Sequence, residues 1–174
     1  MHLRLSPHPL IDRDTLHARV TALAAELNAR FAGQELLALV VLKGSVPFSV
    51  DLMRRLHLPL HVEYIRARSY DGQSTTGEIV FSHLPEAPFQ DRHILILEDI
   101  LDTGNTAVAI LDFVRAQHPA SITLTTLLDK PSRRLREVEA DFVGFTIDDH
   151  FVVGYGLDYN ERYRELDAIY TLES

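Results

Sequence analysis

Two runs of apolar residues dominate this chain, ELLALVVL (35–42) and HILILE (93–98), and SITLTTLL (121–128) is again β-branched and strand-like. A strand with one wet face alternates apolar and polar side chains. Continuous runs of this kind suit strands covered on both faces. Between them lie segments with helical spacing. Leu16, Val20, Leu23, Leu27 and Phe31 fall on one stripe, which predicts a helix over 15–31 with Asp14 as its cap. Pro47 suits the first turn of a second helix, to about Leu56. AVAILDFVRAQ (107–117) predicts a third, with Val108, Leu111 and Val114 or Arg115 on one side. Residues 60–68 alternate as a further strand, 142–147 and 151–153 read as short strands, DKPSRRLREVEAD as a charged loop, and ERYREL as at most a short helix. Strands alternating with helices imply right-handed βαβ units and an α/β fold with a largely parallel sheet. Ligands in such sheets bind at the carboxyl ends of the strands. Lys43-Gly44-Ser45, the segment Glu98 to Thr106, and Asp129-Lys130 all fall there.

The chain has 174 residues, of which 46% are hydrophobic, enough for one domain, 1–174, with a real core. No linker, repeat or low-complexity tract divides it. The longest apolar run, 36–42, is far short of a membrane span. MHLRLSPHPL lacks the apolar core of a secretion signal, and cysteine is absent, so a cytoplasmic protein without disulfides or thiolate metal sites is expected. A net charge of −8 argues against a nucleic-acid partner. A small phosphorylated ligand remains compatible if metal, backbone amides or a few placed cations help. His57 and His61 have i, i+4 spacing, but Pro59 between them argues against a shared helix face.

ILILEDILDTGNT (94–106) carries the chemistry. Asp102 to Thr106 joins a strand to a helix, where first-turn amides and the helix dipole favour an anion. Thr103 and Thr106 add hydroxyls, and Gly104 permits close backbone approach. A phosphate monoester fits this cradle; a simple capped turn is the alternative. Glu98 and Asp99 would repel a phosphate. They make sense facing sugar hydroxyls, or a Mg²⁺ that bridges to the ligand. Together these groups describe a ribose 5-phosphate site. Apolar-Asp-Thr-Gly also opens aspartic protease sites, but those proteins are almost wholly β and there is no second copy here. The Walker and Rossmann glycine patterns are absent.

The segment Glu98-Asp99-Ile100-Leu101-Asp102-Thr103-Gly104-Asn105-Thr106 resembles the phosphoribosyl diphosphate motif of the type I phosphoribosyltransferases. Other segments narrow the resemblance to the hypoxanthine-guanine phosphoribosyltransferases. Leu42-Lys43-Gly44-Ser45 is similar to their pyrophosphate loop, and Ser69-Tyr70 with Ser74-Thr75-Thr76-Gly77 to their flexible catalytic loop. Leu128-Asp129-Lys130 resembles their purine-reading segment. Phe151-Val152-Val153-Gly154-Tyr155-Gly156-Leu157-Asp158-Tyr159, followed by Glu161 and Arg164, resembles their C-terminal signature. The resemblance covers about residues 10–170 and is most specific at that signature.

The resemblance implies a mostly parallel central sheet flanked by helices, with a small hood formed by the terminal segments. It implies purine salvage: transfer of the 5-phosphoribosyl group from 5-phosphoribosyl 1-diphosphate to hypoxanthine or guanine, giving IMP or GMP and pyrophosphate. Glu98 and Asp99 would bind the ribose hydroxyls, directly or through Mg²⁺, and Asp158 a second Mg²⁺. Asp102, Thr103, Gly104, Asn105 and Thr106 would hold the 5-phosphate, with Asp102 also handling the proton at purine N7. Lys43 and Gly44 would meet the pyrophosphate through a cis peptide at Leu42–Lys43, and Arg164 would approach it too. Lys130 would donate to the purine 6-oxo group, Phe151 would stack on the ring, and Val152 would offer backbone groups to the base edge. Ser69 and Tyr70 would belong to a lid that keeps water out. A homodimer or homotetramer is implied, with no nucleic-acid or membrane partner. Ser45 and Asn105 stand where some members have glycine and lysine. A transferase for another base, such as xanthine, and a nucleotide-sensing regulator are the rivals; Lys130, Phe151 and Asp102 argue against them.

Overall fold

The apolar runs become the middle of a six-stranded sheet. The computed structural model describes residues 4–69 and 79–173. In chain order these form β1 (Arg4–Leu5), α1 (Arg13–Arg30), β2 (Leu36–Val41), α2 (Val46–Met53), β3 (Leu60–Ser69), β4 (Ile79–His83), β5 (His93–Leu101), α3 (Asn105–Arg115), β6 (Ser121–Asp129), a 3₁₀ turn at Pro131–Arg133, β7 (Phe142–Thr146), β8 (Val152–Val153) and β9 (Tyr170–Glu173). The large sheet runs β4-β3-β2-β5-β6-β7, all parallel except the antiparallel edge strand β4. A second, three-stranded antiparallel sheet, β1-β9-β8, joins the two ends of the chain into the expected hood.

Side chains alternate across each strand, so the central strands feed two cores. Ala38, Val40, Leu95 and Leu97 pack with Leu16, Val20, Leu23 and Leu27 of α1 and with Phe48 and Leu52 of α2. Leu37, Leu39, Ile94 and Ile96 pack with Ala107, Ile110 and Val114 of α3 on the other face. The hood's Val152, Tyr155, Leu157 and Ile169 join the α1–α2 face. Tyr155 ties hood to α2 through a hydrogen bond from its hydroxyl to Asp51 Oδ2, 2.6 Å. Among the described residues no helix is long and apolar enough to cross a membrane.

Several sequence expectations shift. The α1 stripe is buried as predicted, but the cap is Asp12, whose Oδ1 accepts the Thr15 amide at 2.8 Å, rather than Asp14. Both acids lie near the helix start, but only Asp12 sits three residues before a free first-turn amide. Helix α2 stops at Met53 rather than Leu56. Helix α3 buries Ile110 with Leu111 and Val114, while Val108 is only half-buried. ERYREL forms turns instead of a helix. Asn160, Glu161 and Tyr163 there adopt φ of 53°, 62° and 77°, incompatible with a right-handed helix.

Candidate active site

Strands β2 and β5 part company at the site. Their ladder ends at Val40 opposite Leu97, whereas β5 continues beside β6 to Leu101 opposite Asp129. From β2 the chain leads through α2 to β3 on one side; from β5 it leads through α3 to β6 on the other. The helices lie on opposite faces, so this is the switch point at which doubly wound sheets open a crevice. Past Val41 the chain turns away through a cis peptide between Leu42 and Lys43, as expected. The crevice has a volume of about 340 Å³ and is lined by Val41, Leu42, Ala67, Glu98 to Gly104, Thr106 and Ala107. A wider groove of about 1030 Å³ runs along Asp129, Pro131 and 134–140 and contains neither Glu98 nor Asp99.

The two acids are not at the end of β5, as the sequence suggested, but within it. Glu98 is 6% exposed, and its Oε2 has no hydrogen-bond partner among the described residues. Burial first, and the neighbouring Asp99 charge second, push its carboxyl well above the usual range. Burial also raises Asp99, opposed by hydrogen bonds and by the Arg164 charge. Asp99 Oδ1 accepts the Ile100 amide at 2.9 Å. Its Oδ2 lies 1.6 Å from where a β-carbon on Gly44 would stand, so any side chain at 44 would evict this carboxylate. Ser45 is fully buried and donates back to the Val41 carbonyl at 2.5 Å, which closes the turn without needing a second glycine.

The capped-turn alternative for 102–106 fails. The N-cap of α3 is Gly104 at φ +87°, with no side-chain cap bond. A β-carbon there would meet Val138 Cγ1 at 2.7 Å, a second reason for glycine. Among the described residues the only side-chain contact to a first-turn amide is a long one, Thr103 Oγ1 to Asn105 N at 3.4 Å. The amides of Gly104, Thr106 and Ala107 have no protein acceptor among the described residues. This leaves an open set of donors at a helix N-terminus, suited to an anion.

Four residues missed in the sequence, 133–136, brace that turn. Arg134 Nη1 donates to the Leu101 carbonyl at 2.9 Å and to the Asp102 carbonyl, while its Nη2 pairs with the Asp129 carboxylate. The Thr103 carbonyl accepts the Leu135 and Arg136 amides at 2.9 and 3.2 Å. Arg133 Nε lies 3.3 Å from Asp102 Oδ1, and its Nη1 lies 3.5 Å from Asp149. The charged loop after β6 therefore packs against the cradle. Three arginines among four residues (133, 134 and 136), in a chain of net charge −8, were the available signal.

At the end of β6, Lys130 is 6% exposed, donates to the His150 carbonyl at 2.5 Å and pairs with no carboxylate among the described residues. An ammonium has three donors, so further acceptors can be served. Phe151 is 52% exposed, an unusual place for a phenylalanine, and meets Tyr159 edge-on at 5.7 Å between centroids. Val152 is buried in β8.

Lys43 reaches the hood. Its Nζ lies 3.0 Å from Glu161 Oε2, and Arg164 Nη2 lies 2.8 Å from Asp158 Oδ1 and 3.2 Å from the same Glu161 oxygen. Ser69 ends β3, but its side chain, Tyr70 and the rest of the expected lid lie outside the described residues. Among the described residues no three acidic or histidine side chains gather closely enough to hold a metal. That suits Mg²⁺, which keeps several waters and binds through one or two carboxylates plus substrate phosphates. The partnerless buried oxygen of Glu98 fits such an ion or a hydroxyl donor.

The phosphoribosyl transferase domain family matches residues 12–160. The chain is 40% identical to the hypoxanthine phosphoribosyltransferase of Haemophilus influenzae, covering 92% of each. It is 42% identical to the hypoxanthine-guanine phosphoribosyltransferase of Bacillus subtilis, covering 94% of this chain and 92% of the relative. A crystal structure of a hypoxanthine-guanine phosphoribosyltransferase from Bacillus anthracis, with HEPES in its active site, matches with a TM-score of 0.93 at 33% identity, covering 99% of this chain and all of that one. A switch-point crevice with this donor set and relatives this similar over nearly their whole length lead to one assignment: the chain belongs to the phosphoribosyltransferase family, among the hypoxanthine-guanine phosphoribosyltransferases.

Proposed function

We propose that this enzyme transfers the phosphoribosyl group of 5-phosphoribosyl 1-diphosphate to hypoxanthine or guanine, forming IMP or GMP and pyrophosphate in purine salvage. The carrying observation is the crevice itself, where paired carboxylates and open first-turn amides meet at the end of the sheet. The amides and hydroxyls of 103–106 hold the 5-phosphate. Glu98 and Asp99 accept hydrogen bonds from the ribose hydroxyls. Asp102, braced by Arg134 through its own carbonyl, takes the proton at purine N7. Bond breaking at C1′ runs ahead of bond making, so negative charge grows on the diphosphate, where Lys43 and Arg164 stabilise it. Glu98 and Asp99 would hold one Mg²⁺ and Asp158 a second, and these ions would supply further charge neutralisation there. Phe151 stacks on the base, Val152 offers backbone groups to its edge, and the segment beginning at Ser69-Tyr70 excludes water. The chain acts as one catalytic domain, in the cytoplasm, as a homodimer or homotetramer.

Lys130 sets the choice of base. It satisfies a 6-oxo acceptor but would point donors at a 6-amino group, and sites built on such a bond reject the wrong partner by roughly 10⁴–10⁵. The test is pyrophosphate release with Mg²⁺ and each of hypoxanthine, guanine, xanthine and adenine, run on the wild type and on Lys130→Gln. The first two bases should be used, adenine rejected, and the gap narrowed in the variant, because glutamine can present a donor or an acceptor. A hypoxanthine-to-adenine ratio unmoved by the substitution would mean that Lys130 does not read the base.

A further inference from the structure

Glu161 stands between the two cations of the diphosphate corner. Its Oε2 alone takes Lys43 Nζ at 3.0 Å, Arg164 Nη2 at 3.2 Å and Arg164 Nε at 3.4 Å. Lys43 comes from the loop after β2 and Arg164 from the hood, so one carboxylate oxygen joins two distant segments. Arg164 does not need Glu161 to hold it. Asp158 Oδ1 lies 2.8 Å from its Nη2, and the Gly156 carbonyl accepts its Nη1 at 2.7 Å. What Glu161 adds is an anion shared with Lys43. Its backbone is fixed in the left-handed region at φ +62°, with its amide donated to Asp158 Oδ2 at 2.8 Å. Its side chain remains 60% exposed and free to swing.

We propose that Glu161 is a built-in counter-anion for the diphosphate seat: its carboxylate neutralises Lys43 and Arg164 in the free enzyme, yields them to the incoming diphosphate, and reclaims them as pyrophosphate leaves. This rests on the reading that Lys43 and Arg164 bind the diphosphate. Exposed ion pairs are individually weak, so the exchange is easy in both directions. The cost of breaking them lowers pyrophosphate affinity and hastens release.

Calorimetric titration of the full chain with Mg²⁺-pyrophosphate tests this on the wild type, Glu161→Gln and Lys43→Ala, with IMP titration as the fold control. Glutamine keeps the size of the side chain and removes its charge. Glu161→Gln should bind pyrophosphate about three- to tenfold more tightly, the scale of one or two exposed ion pairs given up, while Lys43→Ala binds it more weakly. Weaker binding by Glu161→Gln would make Glu161 a positioning residue for Arg164 and overturn the proposal. So would unchanged binding, provided that Lys43→Ala still loses affinity. If Lys43→Ala loses none, the assignment of the diphosphate seat fails first, and the counter-anion falls with it.

Discussion

The two halves of this active site are held in opposite ways. The half at the end of β5 is braced from behind and open in front. Arg134 and the amides of Leu135 and Arg136 grip the carbonyls of 101–103, while the amides of Gly104, Thr106 and Ala107 and one oxygen of Glu98 have no partner among the described residues. The half between Lys43 and the hood is closed on itself. Its cations are paired with Glu161 through an exposed carboxylate and with Asp158 through a half-buried contact. On the proposed function, the first half would hold the ribose 5-phosphate, which stays in place while it passes from diphosphate to base. The second would take up and give back a polyanion in each turnover, and exchangeable ion pairs suit that task. Preorganised donors cost nothing to reorganise at the moment of reaction; paired cations cost the pairs.

The sharpest way to break this contrast is at Asp102, which belongs to the braced half through its carbonyl and, on the proposed function, to the chemistry through its carboxylate. Asp102→Asn keeps the backbone contacts to Arg134 and removes the base. It should lower kcat roughly 10²–10⁴-fold, the range for a general acid–base residue, with little change in Tm, because no cap is lost. A variant with near wild-type kcat would assign the carboxylate to the Arg133 ion pair alone.

Arg134 comes next. Arg134→Ala would leave the carbonyls of Leu101 and Asp102 without their donor and the largely buried Asp129 carboxylate unpaired. Hydrogen bonds to charged groups contribute about 1.5–3 kcal/mol, and roughly 1 kcal/mol shifts Tm by about 2–4 °C in a domain of this size. We expect a Tm loss of several degrees and kcat/KM lower by about 10- to 100-fold, the scale of loosened positioning. Arg134→Lys should recover little, since an ammonium cannot span the fork of acceptors that a guanidinium spans. Full recovery by lysine would mean that charge alone matters and the turn is not braced by geometry.

The braced half was also the more legible in the sequence. Its strands are buried on both faces, so 94–97 and 124–128 read as strands without help from distant residues, and the segment after Glu98 is a local motif. Its supports were not legible. Arg134 acts on carbonyls more than thirty residues earlier in the chain, and nothing local separates it from the solvated arginines around it. In the closed half the residues read through the resemblance, but the local backbone did not. ERYREL has the composition of a helix, but the backbone bonds of Tyr155 to Leu166 and Gly156 to Arg164 fold 154–166 back on itself and force left-handed turns. Tertiary pairing there overrides helix propensity.

The smallest effect should separate the halves by the sign of a stability change. Glu98 is buried with a partnerless oxygen beside Asp99, and its folded-state carboxyl is raised above the ordinary value of 4.5. From that value upward to the raised one, the native state keeps a proton that the unfolded chain has lost. Stability therefore falls as pH rises through this window, and the full cost is carried above it. Glu98→Gln removes the titration. The free variant should melt about 2–4 °C higher than the wild type at pH 8, the shift that roughly 1 kcal/mol produces, and the gain should vanish toward pH 4. Glu161 has the opposite sign. Its carboxyl is lowered by Lys43 and Arg164, so its stabilisation is present above the ordinary carboxyl range and is lost as pH falls through the depressed folded value. Glu161→Gln at pH 8 should leave Tm unchanged or slightly lower. Thermal melts of the two variants across pH 4–9, without ligand, decide the matter. If Glu98→Gln melts lower than the wild type at pH 8, the buried carboxylate is a structural support, and the picture of a braced half left open for its ligand is wrong.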